Sequence, residues 1–146
     1  MQTEWQKGEY TISTDDTRLD IALIHDFLSN RSYWAKGRTR AAIEHSIANS
    51  LAFGVYHAAR QVGFARVVTD YATFAYLADV FVLEEERGHG LGKWLMETIV
   101  QHPQLQGLRR WLLVTRDAHE LYRQSGFTGL QWPERWMERF SDLAQS

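Results

Sequence analysis

Residues 80–95 change from the periodicity of a strand to that of a helix across a turn with three glycines. Residues 76–83 are nearly all apolar, as in a strand buried on both faces. From Leu91 onward, apolar residues recur three and four positions apart, which is the spacing of one helical face. The sequence therefore predicts a strand, a tight glycine turn and a helix in direct succession, and the rest of the fold has to accommodate this unit.

A glycine turn that opens a helix has a definite binding chemistry. Its free backbone N–H groups and the helix dipole favour phosphate, and Arg87 adds a planar positive charge. The turn is not a P-loop, because Trp94 and not Ser or Thr follows Lys93. It is not the dinucleotide fingerprint, because its glycines alternate as G-x-G-x-G. A plain strand-to-helix turn without a ligand is the alternative.

Composition limits the class of protein. The chain has 146 residues, two prolines and no linker-like stretch, so we expect a single domain spanning residues 1–146. A net charge of −2 without a basic block argues against nucleic acid as a partner. No apolar run approaches the ~20 residues of a membrane span, so no membrane partner is expected. The absence of cysteine excludes thiol chemistry and fits a cytoplasmic protein. The six histidines show no metal-binding pattern, so we expect no metal.

The pattern of apolar residues and turn residues predicts an α+β domain with a mixed, mostly antiparallel sheet. The predicted order is β-α-α-β-β-β-α-β-α-β-β. Strands are expected at residues 10–14, 51–55, 62–68, 74–83, 109–115, 127–130 and 136–140, and helices at 18–28, 39–48, 91–101 and 117–125. The strand at 109–115 should run parallel to that at 74–83, because a helix connects them.

Two motifs in this order resemble those of the GCN5-related N-acetyltransferase (GNAT) family. The run from Arg87 to Gly92 is similar to the family's Arg/Gln-x-x-Gly-x-Gly/Ala signature, and Tyr122 with Gly126 and Phe127 resembles its Tyr-x-x-x-Gly-Phe element. The resemblance covers essentially the whole chain. It departs from the family at Glu84, where members often have proline, and at Thr115, where many have asparagine.

The resemblance implies an acyl-CoA N-acyltransferase-like fold in which two central strands splay apart in a V and hold acetyl-CoA. The glycine loop would bind the pyrophosphate, and the backbone of the central strand would pair with the pantetheine arm. The cofactor-binding residues implied are Phe81, Val82, Arg87, Gly88, His89, Gly90, Leu91, Gly92 and Lys93. For Lys93, a solvated helix charge is equally compatible with the sequence.

The reaction implied is direct transfer of an acetyl group from acetyl-CoA to a primary amine of a small molecule or peptide. The match to the family's tyrosine makes Tyr122 the candidate general acid for the departing sulfur. Asp79 is the candidate general base, because a carboxylate is unexpected in an otherwise apolar strand. A water chain in place of Asp79, or a merely structural Asp79, is the alternative. The acidic run 84–86 indicates a solvated surface or a rim that attracts cationic amines.

Aromatic residues in predicted loops are candidates for the acceptor site. Tyr33, Trp34 and Trp132 all fall in such loops, and aromatic faces bind cations. Two other functions stay open: a non-catalytic acyl-CoA-binding or regulatory module of the same fold, and a protein that binds another phosphorylated ligand. The aromatic-rich last strands also leave a homodimer open, through pairing with a second chain.

Overall fold

A mixed six-stranded sheet with helices packed on it forms the framework of the computed structural model, which describes residues 3–141. The strands are β1 (Glu4–Lys7), β2 (Tyr10–Ser13), β3 (Leu51–His57), β4 (Arg60–Thr69), β5 (Phe74–Val82) and β6 (Arg110–Leu113). The helices are α1 (Ile21–Asp26), α2 (Arg40–Ala48), α3 (Leu91–Val100) and α4 (His119–Arg123), and a π-helical turn (Phe27–Arg31) continues α1. The predicted α+β class is confirmed.

The strands lie side by side in chain order, from β1 at one edge to β6 at the other. Neighbours from β1 to β5 are antiparallel, and short turns connect most of them. β6 is parallel to β5, with Phe74 opposite Arg110 and Leu77 opposite Leu113. The predicted parallel crossover through α3 is therefore confirmed. The centre of the sheet is covered on both faces, because residues 52–56 of β3 and 61–65 of β4 are all buried.

The amino-terminal strand β1 was not predicted from the sequence. Its residues are mostly exposed, and only Trp5 packs inward, with its ring 6.5 Å from that of Phe53. A mostly polar segment of four residues has no alternating pattern to detect. It forms a strand because Gly8, with φ of 61°, turns the chain back so that Lys7 pairs with Tyr10.

The two last predicted strands, 127–130 and 136–140, are wrong for the isolated chain. From the end of α4 to residue 141, where the described chain stops, the backbone is irregular apart from a 3-10 turn (Pro133–Arg135). The apolar and aromatic composition does favour strand formation, but a strand also needs a neighbour that supplies hydrogen bonds. β6 ends the sheet, and neither segment pairs with it.

The helices cover the sheet and bury its apolar residues in one continuous core. α1 begins at Ile21 and not at Arg18, because the Asp20 carboxylate accepts the Leu23 N–H at 3.0 Å and caps the helix there. α1 packs on α2, whereas α3 packs on β5 and α4. The π-helical turn after α1 brings Phe27 onto Phe81 of β5, with parallel rings 4.0 Å apart.

Candidate functional site

The sheet opens between β5 and β6. β5 keeps β4 as its neighbour from Ala75 to Val82, but the pairing with β6 ends at Leu77. Residues 78–82 therefore have a free backbone edge on the side that β6 has left. This is the V-shaped opening that the resemblance implied, and it lies at the carboxyl end of both strands.

A β-bulge lies at the start of the opening. The register between β4 and β5 shifts between Phe64 and Arg66, opposite Asp79. Asp79 has a φ of 57°, a left-handed conformation that non-glycine residues rarely adopt and that aspartate tolerates better than most. A bulge bends its strand and increases the local twist. It thus contributes to the separation of β5 from β6.

The backbone of Val82 lies along the free edge. Leu83 donates its N–H to the Val62 carbonyl of β4 at 2.8 Å. Because successive N–H groups of a strand point to opposite sides, the Val82 N–H points away from β4, into the opening. Arg87 Nε donates to the Val82 carbonyl at 3.3 Å. The Phe81 side chain is only 4% exposed and belongs to the core. By the same alternation the Phe81 N–H and carbonyl point toward β4, where the carbonyl oxygen lies close to Gly63.

The glycine loop directly follows β5 and begins α3. Gly88 and Gly90 have φ of 90° and 73°, which explains why glycine stands at both positions. The first helical hydrogen bond runs from Trp94 N–H to the Gly90 carbonyl at 3.0 Å. The N–H groups of residues 91–93 therefore have no backbone acceptor among the described residues. Free N–H groups and the positive end of a helix dipole favour an anionic group such as phosphate at this kind of position.

The remaining residues of the loop have different environments. Arg87, His89 and Lys93 are exposed. Leu91 is buried in the core. A Cβ at Gly92 would make an ordinary van der Waals contact with Leu121 of α4, at 3.7 Å. Leu91 and Gly92 thus offer a ligand only their backbone N–H groups.

Glu86 anchors the 3-10 turn (Glu84–Glu86) that leads into the loop, and sequence reasoning missed it. The prediction that the acidic run is solvated is wrong for Glu86, which is 8% exposed. Its carboxylate accepts a hydrogen bond from Tyr10 at 3.0 Å and lies 2.7 Å from His57 Nδ1. The Tyr10 ring stacks on His57 and lies 6.1 Å from that of His89. Nothing in the local sequence identifies partners 29 and 76 positions away.

The Glu86–His57 contact changes the pKa of both groups. The hydrogen bond to Glu86, followed by that to Glu9, raises the pKa of His57 above its usual value. The hydrogen bond from His57 lowers the pKa of Glu86. Each charged form therefore stabilises the other, and together they hold the entrance to the glycine loop.

Tyr122 of α4 is buried but its hydroxyl is available. The side chain is 9% exposed and its ring meets the edge of Phe127 at 6.1 Å. The hydroxyl makes no hydrogen bond to any residue within 3–141. Burial, with smaller contributions from Tyr33 and Asp117, raises the pKa of Tyr122 to about 12. The phenol is therefore neutral near pH 7 and keeps a proton to donate.

Asp79 lies in a dense set of hydrogen bonds. Its Oδ2 accepts from Arg38 Nη1 at 2.9 Å and from Arg66 Nε at 3.0 Å, and its Oδ1 accepts from Trp34 Nε1 at 3.0 Å. Its side chain is 3% exposed, and those of Arg38 and Arg66 are 20% and 13% exposed. Both oxygens of this carboxylate are thus occupied by donors, two of which carry positive charge.

The loop that carries Tyr33 and Trp34 spans the opening. Trp34 reaches Asp79 on β5, as described above, whereas the Tyr33 hydroxyl accepts the backbone N–H of Arg116, beyond β6, at 2.7 Å. The Arg116 guanidinium also lies 3.9 Å from the centre of the Tyr33 ring. The two rings contact each other edge to face at 5.1 Å. The predicted acceptor residues Tyr33 and Trp34 are therefore placed at the opening, where they connect its two sides.

Trp132 lies in a different part of the structure, beside β6. It lines a cavity of about 620 Å³ between β6, α4 and the segment that follows α4. Tyr122 lines the same cavity. The Arg135 guanidinium lies 4.2 Å from the centre of the Trp132 ring. Trp132 thus shares a cavity with Tyr122, whereas Tyr33 and Trp34 lie across the opening.

Within residues 3–141, no group of three or more histidine and acidic side chains is placed to hold a metal ion. No helix in the same range combines the length and the apolar character needed to cross a bilayer.

Comparisons with known proteins identify similarity to acetyltransferases. The model of the acetyltransferase (GNAT) family matches residues 24–127. A protein of Gibberella zeae, named Putative acetyltransferase FG08082, is 33% identical over 140 residues, which cover 81% of this chain and 78% of the relative.

Solved structures show the same similarity. The crystal structure of a GNAT-family protein from Xanthomonas campestris pv. campestris is 52% identical, with a TM-score of 0.89, over 90% of this chain and 93% of that one. An acetyltransferase structure from Clostridium acetobutylicum with acetyl-CoA shares the fold at 12% identity, with a TM-score of 0.64, over 90% of this chain and 94% of that one.

The Glu86–His57 pair predicts a pH-dependent contribution to stability. The pKa of His57 is raised on folding, so its contribution is complete below the usual pKa of about 6.5 and is lost as the pH rises through the folded-state value. The pKa of Glu86 is lowered, so its contribution is complete above about 4.5 and is lost as the pH falls through the folded-state value. We expect the loss of unfolding free energy in His57→Gln to be largest between these two pH values.

Urea unfolding of the wild type and of His57→Gln over a pH series measures this difference. The control is His45→Gln, on the exposed surface of α2. If the loss of unfolding free energy in His57→Gln did not diminish toward alkaline pH, the assigned ion pair between Glu86 and His57 would be contradicted.

Proposed function

Because this chain belongs to the GNAT family of acetyltransferases, we propose that it transfers an acetyl group from acetyl-CoA directly to a primary amine of a small molecule or peptide. One observation supports this most: the glycine loop and the free edge of Val82 both adjoin the opening between β5 and β6, and Tyr122 lies close enough to Tyr33, whose loop spans that opening, for Tyr33 to contribute to its raised pKa. This arrangement offers separate places for the three parts of acetyl-CoA, which are the pyrophosphate, the extended pantetheine arm and the reacting thioester.

The residues present fit acetyl-CoA. The free N–H groups of residues 91–93 suit the pyrophosphate, with Arg87, His89 and Lys93 exposed around the loop. The free edge of residues 78–82 offers the pantetheine amides the hydrogen bonds that a β6 neighbour would otherwise provide. The relative from Clostridium acetobutylicum, which has the same fold, holds acetyl-CoA.

The chemistry removes two protons from the acceptor nitrogen and delivers one to the departing sulfur. A free alkylamine has a pKa of about 10.4, so it has to lose a proton before it attacks the thioester carbonyl. The amine adds to the thioester carbonyl to form the C–N bond, the Val82 N–H would stabilise the negative charge on the carbonyl oxygen, and the C–S bond then breaks. The departing sulfur takes a proton from the Tyr122 hydroxyl. The nitrogen loses its second proton as the amide forms, and that proton returns to Tyr122 through solvent, so one proton is released for each acetyl group transferred. No cysteine is available to carry the acetyl group, so the amine attacks directly within a ternary complex.

The contacts of Asp79 favour a positioning role over the general-base role that the sequence predicts. Both oxygens of this carboxylate already accept hydrogen bonds from two guanidinium groups and an indole, so an incoming amine would have to displace one of these donors to reach it. We propose that Asp79 fixes Trp34 and Arg38 at the opening. The amine would then lose its proton to a water chain.

The same cluster points to the class of acceptor. Arg38 and Arg66 share one carboxylate, so the cluster carries a net positive charge. The cluster lies where β5 loses β6, beside the loop that carries Tyr33 and Trp34. We propose that acceptors combine the amine with an anionic group such as a carboxylate, because a second cationic group would be repelled.

The proposed function predicts binding followed by turnover. Calorimetry should show that acetyl-CoA binds with a Kd of about micromolar order, that desulfo-CoA also binds and that ATP binds much more weakly. Gly90→Trp should abolish binding, whereas Gly107→Trp should not, although both glycines have positive φ and open space at Cβ. Thiol release should then occur with amines, faster with amino acids than with polyamines.

The outcomes separate the alternatives. Binding of acetyl-CoA without turnover of any amine would indicate a non-catalytic acyl-CoA-binding module. An affinity for ATP equal to that for acetyl-CoA would indicate that the protein binds another phosphorylated ligand.

Removal of the Tyr122 hydroxyl tests the proposed acid. Tyr122→Phe should lower kcat by about 100-fold with little change in the KM for acetyl-CoA, because the hydroxyl acts on the sulfur only during transfer. Tyr56→Phe is the matched control, since Tyr56 is also buried and its hydroxyl also lacks a hydrogen bond within the described chain. An unchanged kcat across pH in Tyr122→Phe would remove this assignment.

Replacement of Asp79 distinguishes positioning from base catalysis. If Asp79 positions Trp34 and Arg38, Asp79→Asn should raise the KM of the amine and lower stability by about 3 kcal/mol, while kcat keeps its pH profile. Arg38→Ala should then produce a similar rise in KM. If Asp79→Asn lowered kcat and removed its fall toward acidic pH, while Arg38→Ala did not, Asp79 would instead be established as the base.

A further inference from the structure

The strand register places Tyr76 on the same face of the sheet as Arg66. Arg66 of β4 lies opposite Ala78 of β5, and Val68 lies opposite Tyr76. Residues that lie opposite each other, and residues two positions apart along one strand, point to the same face of a sheet. Tyr76 and Arg66 are therefore diagonal neighbours, at a spacing of about 7–8 Å that an aromatic or a long side chain can bridge.

This face of the sheet is partly open at Tyr76. Tyr76 and Arg66 are partly exposed, and Val68 on the same face is 40% exposed. The residues that alternate with them, Val67 and Leu77, belong to the core. The pairing of β5 with β6 ends at Leu77. Tyr76 therefore lies at the start of the opening, on the face that carries the arginine.

The Tyr76 hydroxyl has no hydrogen-bond partner within residues 3–141. The charged groups that act on it are those of Asp79, Arg66 and Arg38, which are the charged members of the cluster described above. Burial, followed by the charge of Asp79, raises the pKa of Tyr76, and the two arginines oppose this rise. The phenol is therefore neutral near pH 7, and its O–H is a free donor beside the cluster.

The two guanidinium groups of the cluster also keep free donors. Arg38 donates through Nη1 to Asp79, whereas Arg66 donates through Nε to Asp79 and through Nη1 to the Ser50 hydroxyl. In the described chain, Nη2 of neither arginine has an acceptor. The two side chains are only 20% and 13% exposed. Because donors with so little access to water are usually paired, the cluster has more donors than its own acceptors can satisfy.

We infer that Tyr76 determines the specificity for the acceptor: its hydroxyl and the free donors of Arg38 bind the carboxylate of an amino acid. This inference rests on the proposed function, which assigns an amine with an anionic group to this site, and it adds the residue that recognises that group. A carboxylate has two oxygens and about four lone-pair sites, so it can accept from a guanidinium and a phenol at once.

Donor chemistry favours a carboxylate over its carboxamide at this position. Hydrogen bonds to an ionised acceptor are about twice as strong as those between neutral groups. A carboxamide keeps one oxygen and replaces the other with an NH₂ group, which would face donors with further donors. The Tyr76 hydroxyl and the Arg38 guanidinium should therefore distinguish an amino acid from its carboxamide.

Calorimetry on the protein saturated with desulfo-CoA tests this recognition without acetyl transfer. The standard amino acids are titrated, and the one that binds most tightly is compared with its carboxamide. Tyr76→Phe should raise the Kd of the amino acid by about tenfold or more and that of the carboxamide by less than about threefold. The Kd of desulfo-CoA should not change, which verifies that the variant retains its fold.

Tyr71→Phe is the matched control. Tyr71 lies in the turn between β4 and β5 and is 46% exposed, and the same hydroxyl is removed there. This variant should bind the amino acid and the carboxamide as the wild type does. An equal loss of affinity for both ligands in Tyr76→Phe would overturn the inference, as would an unchanged Kd for the amino acid or the failure of every amino acid to bind.

Steady-state kinetics with the same two acceptors provides the second measurement. Tyr76→Phe should raise the KM of the amino acid by about tenfold, with kcat and the KM of acetyl-CoA nearly unchanged, because the hydroxyl binds the carboxylate equally before and during transfer. A fall in kcat with an unchanged KM for the amino acid would contradict a role in recognition.

The two measurements separate this inference from the proposed function. Amino acids that bind through Tyr76 but are never acetylated would support the recognition and contradict the transfer. Acetylation of amines with the same preference for acid over carboxamide in the wild type and in Tyr76→Phe would support the transfer and overturn the recognition.

Discussion

The buried carboxylate of Asp79 is the interaction on which the opening of the sheet depends. It lies at the bulge where β5 departs from β6, and it joins β4 through Arg66 to the loop between α1 and α2 through Trp34 and Arg38. The left-handed conformation of Asp79 has a cost of about 1–3 kcal/mol, and the hydrogen bonds made by its side chain offset that cost. The opening is thus a property of three segments held together by one side chain.

The glycine loop is held in a comparable way from the opposite side. Its N–H groups are free because β5 ends where α3 begins, but a free loop has to be fixed in direction before it can bind a phosphate group selectively. Glu86 fixes the direction of the loop, since its carboxylate connects the turn before the loop to Tyr10 on β2 and His57 on β3. Both anchors are buried carboxylates with partners distant in sequence.

Local sequence patterns predicted much of this arrangement but not its contacts. The glycine turn, the strand before it and the helix after it were predictable because glycine spacing and apolar periodicity are local signals. The site roles of Tyr122 and of the loop residues stay predictions, carried by the motif match and consistent with where these residues lie. Glu86 was misjudged as solvated and Arg38 and Arg66 were missed, because an ion pair across 41 or 13 positions leaves no pattern in the chain. The strand at 136–140 was predicted from composition, but in one isolated chain it has no neighbour.

The sequence by itself determined the class of fold, the parallel crossover and the position of the glycine turn, because periodicity, glycine conformations and chain connectivity act over short distances. The tertiary structure decided where the sheet opens, which carboxylates are buried and which side chains meet across the opening. Those features depend on the register between strands and on contacts between distant segments. Hydrogen bonding and desolvation act on the groups that packing brings together, and only the folded chain specifies which groups those are.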